Sequence, residues 1–550
     1  MLDGIRLIER APNAHDYPLL ISKLLLTPFV YSPDQEIVYR DTKRFTYRQF
    51  QSRLKKLASG FGAIGVEPGD MVAVLDWDSY RYLECYFGIP SIGAVMHIVN
   101  VRLSPEQILF TMRHAEDKVV LVHEDFIPIV EAIMDRLPSV KKWVLLRETD
   151  KKIETRIPFE CEYEELLAKG TEDYEFPEFD ENAQATLSYT TGTTGDPKGV
   201  YFSHRQIVLH TLGLAVGLGT YEAQGRFRSN DVYMPITPMF HVHAWGIPYL
   251  ATMLGVKQVY PGRYDPEMLL KLLVTEKVTF SHCVPTILQM LVSSPVIKDV
   301  DLSRWKVVIG GSALPRGLAK MTMDLGIDVY SAYGMSETCP LLTAALLKPN
   351  LLDADQETQL DYRTSTGLPA PLVDLQIWNH AKQSLPHDGK SQGEIVVRAP
   401  WLTQGYFNNP GQSEDLWDGG YLHTGDVAHI NAEGYVRITD RIKDVIKSGG
   451  EWVSSLEIEN LISLHPAVAE VAVVGVPDEK WGERPMAIVV PASGKIEDFP
   501  IDDVRAYLMR CVERGTISKY SIPDRFDVVD QIPKTSVGKL DKKVIRQKIK

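Results

Sequence analysis

Short apolar runs that alternate with amphipathic segments constrain this chain more than any other feature. Residues 71–75 (Met-Val-Ala-Val-Leu), 118–122 (Lys-Val-Val-Leu-Val) and 142–146 (Lys-Trp-Val-Leu-Leu) each read as a buried strand. From Phe45 to Gly65 the apolar residues recur three and four apart, as in a helix with one face buried. Strands alternating with helices imply parallel sheets covered on both faces. With 550 residues, the chain exceeds one hydrophobic core, so two or more domains are expected. The region to about residue 180 carries no obvious chemistry and reads as scaffold.

Chemistry begins at Ala185-Thr186-Leu187-Ser188-Tyr189, a further strand, which runs into Thr190-Thr191-Gly192-Thr193-Thr194-Gly195-Asp196-Pro197-Lys198. Glycines let backbone approach a ligand, amide and hydroxyl groups form an anion-binding concavity, and the lysine adds a point charge. The order of residues does not match the P-loop, which needs Gly, four residues, then Gly-Lys-Ser/Thr. A plain surface loop is the competing reading.

Further segments add candidate groups. Phe240-His241-Val242-His243-Ala244-Trp245 holds two histidines that share one face if the segment is extended; His-x-His alone lacks the further ligands of a metal site. A packed core is the plain alternative for these residues. Residues 307–315 (Val-Val-Ile-Gly-Gly-Ser-Ala-Leu-Pro) read as a strand ending in a glycine turn, a place where ligands of open α/β sheets bind. In residues 328–338, Glu337 follows a second strand–glycine turn, and with a threonine hydroxyl it would suffice for Mg²⁺, which needs one or two protein oxygens. Asp426 ends the glycine-rich stretch 418–426 and is placed to accept ribose hydroxyls, as the acidic residue of dinucleotide folds does. The charged, glycine-ended stretch 440–452 has the composition of a hinge, with a polar edge strand carrying solvated lysines as the competing reading. Beyond it, 457–464 and 504–514 read as helices and 468–476 as a buried strand, enough for a small α+β domain.

These segments, in this order from about residue 185 to 540, resemble the adenylate-forming superfamily of acyl-CoA synthetases, luciferases and peptide-synthetase adenylation domains. The resemblance implies a large α/β domain over 1–440, with parallel sheets flanked by helices plus a small β-barrel, and a small mobile α+β domain over 441–550. It implies ATP, Mg²⁺ and the co-substrate CoA. Residues Thr190 to Lys198 would hold the β- and γ-phosphates, and Thr190 with Glu337 the Mg²⁺. Gly311, Ser312, Ala313, Ser331, Ala332 and Ser336 would line the nucleotide site, where Tyr333 would stack on adenine and Gly334 admit substrate. Asp426 would hold ribose, with Arg441, Lys443, Lys447 and Trp452 contacting nucleotide. Lys539 matches the family's catalytic lysine, assisted by Lys198, Glu337 and Lys447. His241, Val242, Trp245 and Gly334 would line the acyl pocket, and Trp245 resembles the aromatic beside the acyl tunnel of fatty-acyl relatives. Lys443, Gly449 and Gly450 would form the hinge and the approach to the CoA channel. Two departures from the family pattern stand out: Ser336 replaces the commoner Thr, and Lys443 stands where many relatives carry Asp.

The implied activity is carboxylate plus ATP to acyl-adenylate, then to a CoA thioester. Phe240-His241-Val242-His243 lacks the acid that peptide-synthetase domains carry for an amino group, so amino-acid substrates are disfavoured. Medium- or long-chain fatty acids are favoured by Trp245. Aryl acids, an acyl-AMP ligase without thioester formation and a non-catalytic ATP-binding protein are the alternatives. Relatives often dimerise, a point that nothing in this sequence decides.

Composition closes off other classes. A net charge of −13 argues against a nucleic-acid binder. Cys85, Cys161, Cys283, Cys339 and Cys511 form no Cys-x-x-Cys pair, which points to a reducing compartment without zinc. The N-terminal segment has no apolar signal core and no apolar run reaches about 18 residues, so a cytoplasmic protein without a membrane span is expected.

Overall fold

The computed structural model describes residues 5–190, 196–221, 225–442, 444–448, 451–514, 516–534 and 540–549, without the side chains of 298, 299, 451 and 452. The apolar runs become strands where expected. Met71–Leu75, Val119–His123 and Lys142–Leu146 lie in a seven-stranded sheet that also holds Val95–Ile98, Phe159–Glu162 and Gln184–Tyr189, all parallel. Gln184–Tyr189 returns as Gly199–Ser203, antiparallel to it, at the sheet's edge. Thr190 and Lys198 therefore face each other at the end of a hairpin, with Thr190 N–H donating to the Lys198 carbonyl at 2.9 Å.

A nine-stranded sheet forms the second layer. Its middle strands, Asp328–Gly334, Lys306–Ile309, Phe280–Cys283, Val232–Pro235, Lys257–Tyr260 and Glu36–Tyr39, pair in parallel, and its edges are antiparallel. Helix Tyr47–Ala63 realises the periodicity read from 45–65: Phe50, Leu54, Leu57, Ala58 and Phe61 are buried, and Thr46 with Gln49 closes a capping box at its start. Helix Tyr80–Ser91 touches strands of both sheets and is buried along its whole length. Such a helix has no wet face for its charges, so they are paired: Arg81 Nε lies 3.2 Å from Asp76, and Glu84 lies 2.5 Å from Arg53.

Asp374–Trp378, Gly393–Arg398, Leu422–Ile430 and Val436–Arg441 form an antiparallel meander. Among the described residues its first and last strands do not pair, so it is an open sheet where a small barrel is expected. Bulges near Glu394 and Val427 bend it, and Val436, the first residue of its last strand, is bridged by Gly367.

After residue 445, the long hairpin Val468–Asp478/Gly482–Pro491 is joined by Ile446–Ser448, Glu451–Val453 and Arg525–Val528. Helices Ser455–Ser463 and Ile501–Glu513 accompany this sheet, and Ile446, Ile458, Ile462, Val473, Val489 and Leu508 make a core separate from those before it. Among the described residues no helix is long and apolar enough to cross a membrane.

Candidate active site

A cavity of about 2940 Å³ opens beyond the carboxyl ends of strands Lys306–Ile309 and Asp328–Gly334. Parallel strands present their loops there, which is why open α/β sheets bind ligands at that end. Gly310 to Ala313 come from one strand end, Ser331 to Glu337 from the next, Thr190 and Lys198 from the hairpin, and Thr424 to Asp426 from the meander.

Glu337 lines this cavity from a short 3₁₀ turn, Ser336–Thr338. Its Oε1 accepts a hydrogen bond from the Tyr406 hydroxyl at 2.8 Å, and the Lys198 ammonium lies 4.5 Å from the centre of the same phenol ring. Burial pushes the Glu337 carboxyl above its ordinary pKa, with Tyr406 and Lys198 pulling back the other way. A buried carboxylate whose charge burial disfavours is a fitting partner for a cation. Among the described residues no three His, Cys, Asp or Glu side chains could hold a metal together. One carboxylate and a hydroxyl are what an ion shared with phosphate oxygens requires, and Glu337 and Thr190 both line this cavity.

Asp426 is buried and lies opposite Arg441 in the pairing of their strands. Its carboxylate accepts from the Tyr333 hydroxyl at 2.7 Å and pairs with Arg441 Nε at 3.0 Å. Burial, then the Asp426 charge, raise the Tyr333 phenol well above its ordinary pKa, so it stays a donor. His423, without a role from sequence, lines the same wall and bridges Glu394 and the Asp418 carbonyl, each at 2.9 Å. The buried Ser331 hydroxyl has no protein partner, an opening for a ligand's polar atom.

The apolar end is shaped by an unusual backbone. Val242, His243, Ala244, Trp245 and Gly246 all have positive φ, between 45° and 74°, a left-handed turn. L-residues other than glycine disfavour this region, and the surrounding burial holds them in it. The two histidines therefore part company, contrary to the extended reading. His241 lines the cavity, whereas His243 is buried with Nε2 2.8 Å from the Thr186 hydroxyl; burial lowers its pKa to about 3. Val242 is buried and does not line this cavity, unlike His241 and Trp245 on either side of it. Trp245 does reach the wall. It packs on His282 with ring centroids 5.0 Å apart, and a Cβ on Gly310 would lie 2.9 Å from its Cη2. Leu214, Leu218, Ile247 and Val308 continue this apolar side.

Residues 30–407 match the AMP-binding enzyme family, and residues 457–539 match the AMP-binding enzyme C-terminal domain. The chain belongs to this family. It is 40% identical over 523 residues to a long-chain-fatty-acid–CoA ligase of Thermus thermophilus, covering 94% of this chain and 93% of that one. It is 39% identical over 542 residues to a 3-methylmercaptopropionyl-CoA ligase of Ruegeria lacuscaerulensis, covering 97% and 98%. A fatty acyl CoA synthetase structure from Mycobacterium tuberculosis superposes with a TM-score of 0.71 at 28% identity, covering 96% of this chain and 98% of that one.

Within this family member, Thr190, Lys198, His241, Trp245, Gly311, Ser312, Ala313, Ser331, Ala332, Tyr333, Gly334, Ser336, Glu337, Asp426 and Arg441 all reach the one cavity. Gly334 has a reason beyond admitting substrate: a Cβ there would lie 1.7 Å from the Pro340 carbonyl oxygen. Lys447 does not reach the cavity. It is exposed on strand Ile446–Ser448, its N–H held by Glu483 at 2.9 Å. Thr191, Gly192, Thr193, Thr194, Gly195, Lys443, Gly449, Gly450 and Lys539 lie outside the described residues, as does the side chain of Trp452. Tyr406 was missed by the sequence reading. Its only local signal is a Gly-Tyr-Phe-Asn-Asn-Pro turn, 69 residues from the glutamate it binds.

Proposed function

We propose that this chain is an ATP-dependent acyl-CoA ligase acting on medium- or long-chain fatty acids. The observation that carries the reading is that Lys198, Glu337 and Asp426 line the same cavity as Trp245, Leu214 and Leu218. Polar groups fitted to a nucleotide triphosphate thus share a cavity with apolar groups fitted to an alkyl chain.

In the first step a carboxylate oxygen attacks the α-phosphorus, the bond to the β-phosphate oxygen breaks, and pyrophosphate leaves. In the second, the CoA thiol attacks the acyl carbon, its proton goes to solvent, and AMP departs with the anhydride oxygen. No protein nucleophile is needed, so the chain contributes alignment and charge. Lys198 and the hairpin end bind the β- and γ-phosphates, Asp426 accepts from ribose, and Tyr333 orients Asp426. Glu337 and Thr190 would hold Mg²⁺, whose charge would be available to the phosphates. Lys539 neutralises the charge that develops on the reacting oxygens. We further assign 1–440 to the nucleotide- and acyl-binding domain and 441–550 to a lid turning about Arg441 and Lys443 between the two steps. Lys447, off the cavity here, would reach it in the other orientation. Five free, buried cysteines support a cytoplasmic setting.

The test is pyrophosphate, AMP and thioester measured together over acids from acetate to stearate, with benzoate and 4-coumarate, with and without CoA. CoA-dependent turnover favouring C8 to C16 acids is expected. Pyrophosphate without thioester would move the protein to adenylate formation alone, and turnover confined to the aryl acids would replace the substrate class.

A further inference from the structure

We propose that Tyr406 is the positioning residue that holds Lys198 and Glu337 apart and in register, so that a nucleotide triphosphate and its cation meet both at once; this rests on the ATP-dependent reading above. Three contacts converge on this side chain and its backbone. The hydroxyl donates to Glu337 Oε1 at 2.8 Å, the ring lies under the Lys198 ammonium at 4.5 Å, and the backbone bridges to Val200, two residues beyond Lys198. The neighbouring residues reinforce the link. Phe407 N–H donates to the Gly199 carbonyl at 2.8 Å, and Thr403 N–H donates to the Glu337 carbonyl at 2.9 Å. The Thr403 hydroxyl reaches the Tyr201 carbonyl at 3.1 Å. The segment 403–407 thus fastens the lysine's strand to the glutamate's turn.

The choice of side chain follows from the charges. A lysine and a glutamate near each other in a part-buried site attract, and a direct ion pair would consume the charges that phosphate and cation need. Among the described residues Lys198 and Glu337 form no such pair. The phenol stands between them, its negative ring face turned to the ammonium and its hydroxyl proton to the carboxylate. Each charge is oriented and neither is neutralised.

Two substitutions separate these roles, since Tyr406→Phe removes the hydroxyl and keeps the ring, while Tyr406→Leu removes both. The probe is α,β-methylene-ATP, whose binding is measured by calorimetry on the full chain at zero and graded Mg²⁺, alongside the KM for the acid. Tyr406→Phe is expected to raise the Mg²⁺ concentration needed for half-maximal tightening by about tenfold, with affinity lacking Mg²⁺ changed less than about twofold. Tyr406→Leu is expected to weaken the analogue by about tenfold with or without Mg²⁺. The KM for the acid stays unchanged in both. Binding by Tyr406→Phe that matches wild type at every Mg²⁺ concentration would overturn the proposal. So would an equal loss of analogue and acid binding with a lowered melting temperature, the mark of a merely structural residue. Wild-type protein that binds the analogue yet activates no acid would defeat the ligase reading while the Phe and Leu comparison still decides the role of Tyr406. A wild type that does not bind the analogue overturns both.

Discussion

Replacing Asp426 by Asn tests the nucleotide site with little change of shape. In the free protein the carboxylate accepts from Tyr333 at 2.7 Å and pairs with Arg441 at 3.0 Å. A hydrogen bond to a charged acceptor contributes about 1.5–3 kcal/mol and a neutral one about 1, so converting the Tyr333 bond costs about 1 kcal/mol. The Arg441 side chain is 49% exposed. Water screens that pair, so its loss adds only about 0.5 kcal/mol. The effect on nucleotide is larger. A carboxylate accepts from both ribose hydroxyls, whereas an amide offers one acceptor and turns a donor towards the second. Together with the weakened charge this removes about 2–3 kcal/mol, which is about 30- to 150-fold in kcat/KM for ATP. The assay is steady-state pyrophosphate release with ATP, 2′-deoxy-ATP and 3′-deoxy-ATP, at saturating acid and over a range of acid. Wild type should discriminate against the deoxy nucleotides by about tenfold or more, Asp426→Asn by only a fewfold, and the acid KM should not move. Discrimination that survives in Asp426→Asn, or an ATP kcat/KM reduced less than about threefold, would refute the assignment.

Two further outcomes are expected. Trp245→Ala removes the indole that fills the space over Gly310 and His282. It should move the chain-length optimum upward, with kcat/KM for a C16 acid gaining on that for C8 by about tenfold; an unchanged profile would remove Trp245 from the acyl path. His243 has a folded pKa of about 3 against an ordinary 6.5. The unfolded chain therefore takes up the proton first, and the stability gained from a neutral His243 falls as pH drops through 6.5 towards 3. Wild type should lose about 1.4 kcal/mol between pH 7.5 and 5.5 that His243→Gln does not lose, read as a difference in urea unfolding curves; parallel curves would contradict the buried neutral imidazole.

Sequence periodicity made the scaffold legible because strands such as Met71–Leu75 are buried on both faces and must be apolar throughout. The cavity-lining turns at Gly310 and Gly334 were legible for a different reason: glycine turns at strand ends are local requirements written in consecutive residues. The turn at 242–246 was not. Val242, His243, Ala244 and Trp245 carry no preference for positive φ, and packing from distant elements, such as Thr186 against His243, imposes it. Tyr406 was hidden for a related reason, since its meaning lies in residues 200 and 337 rather than in its neighbours. The bridge from Gly367 to Val436 depends on how separate segments meet, which no local pattern records.

The central claim is that a carboxylate oxygen attacks the α-phosphorus. Dodecanoate labelled with ¹⁸O in both carboxyl oxygens, turned over with Mg-ATP and CoA, tests this by mass spectrometry of the products. The account predicts one ¹⁸O in AMP, one retained in the thioester carbonyl and none in pyrophosphate. Label in ADP or inorganic phosphate, or AMP free of label, would contradict it.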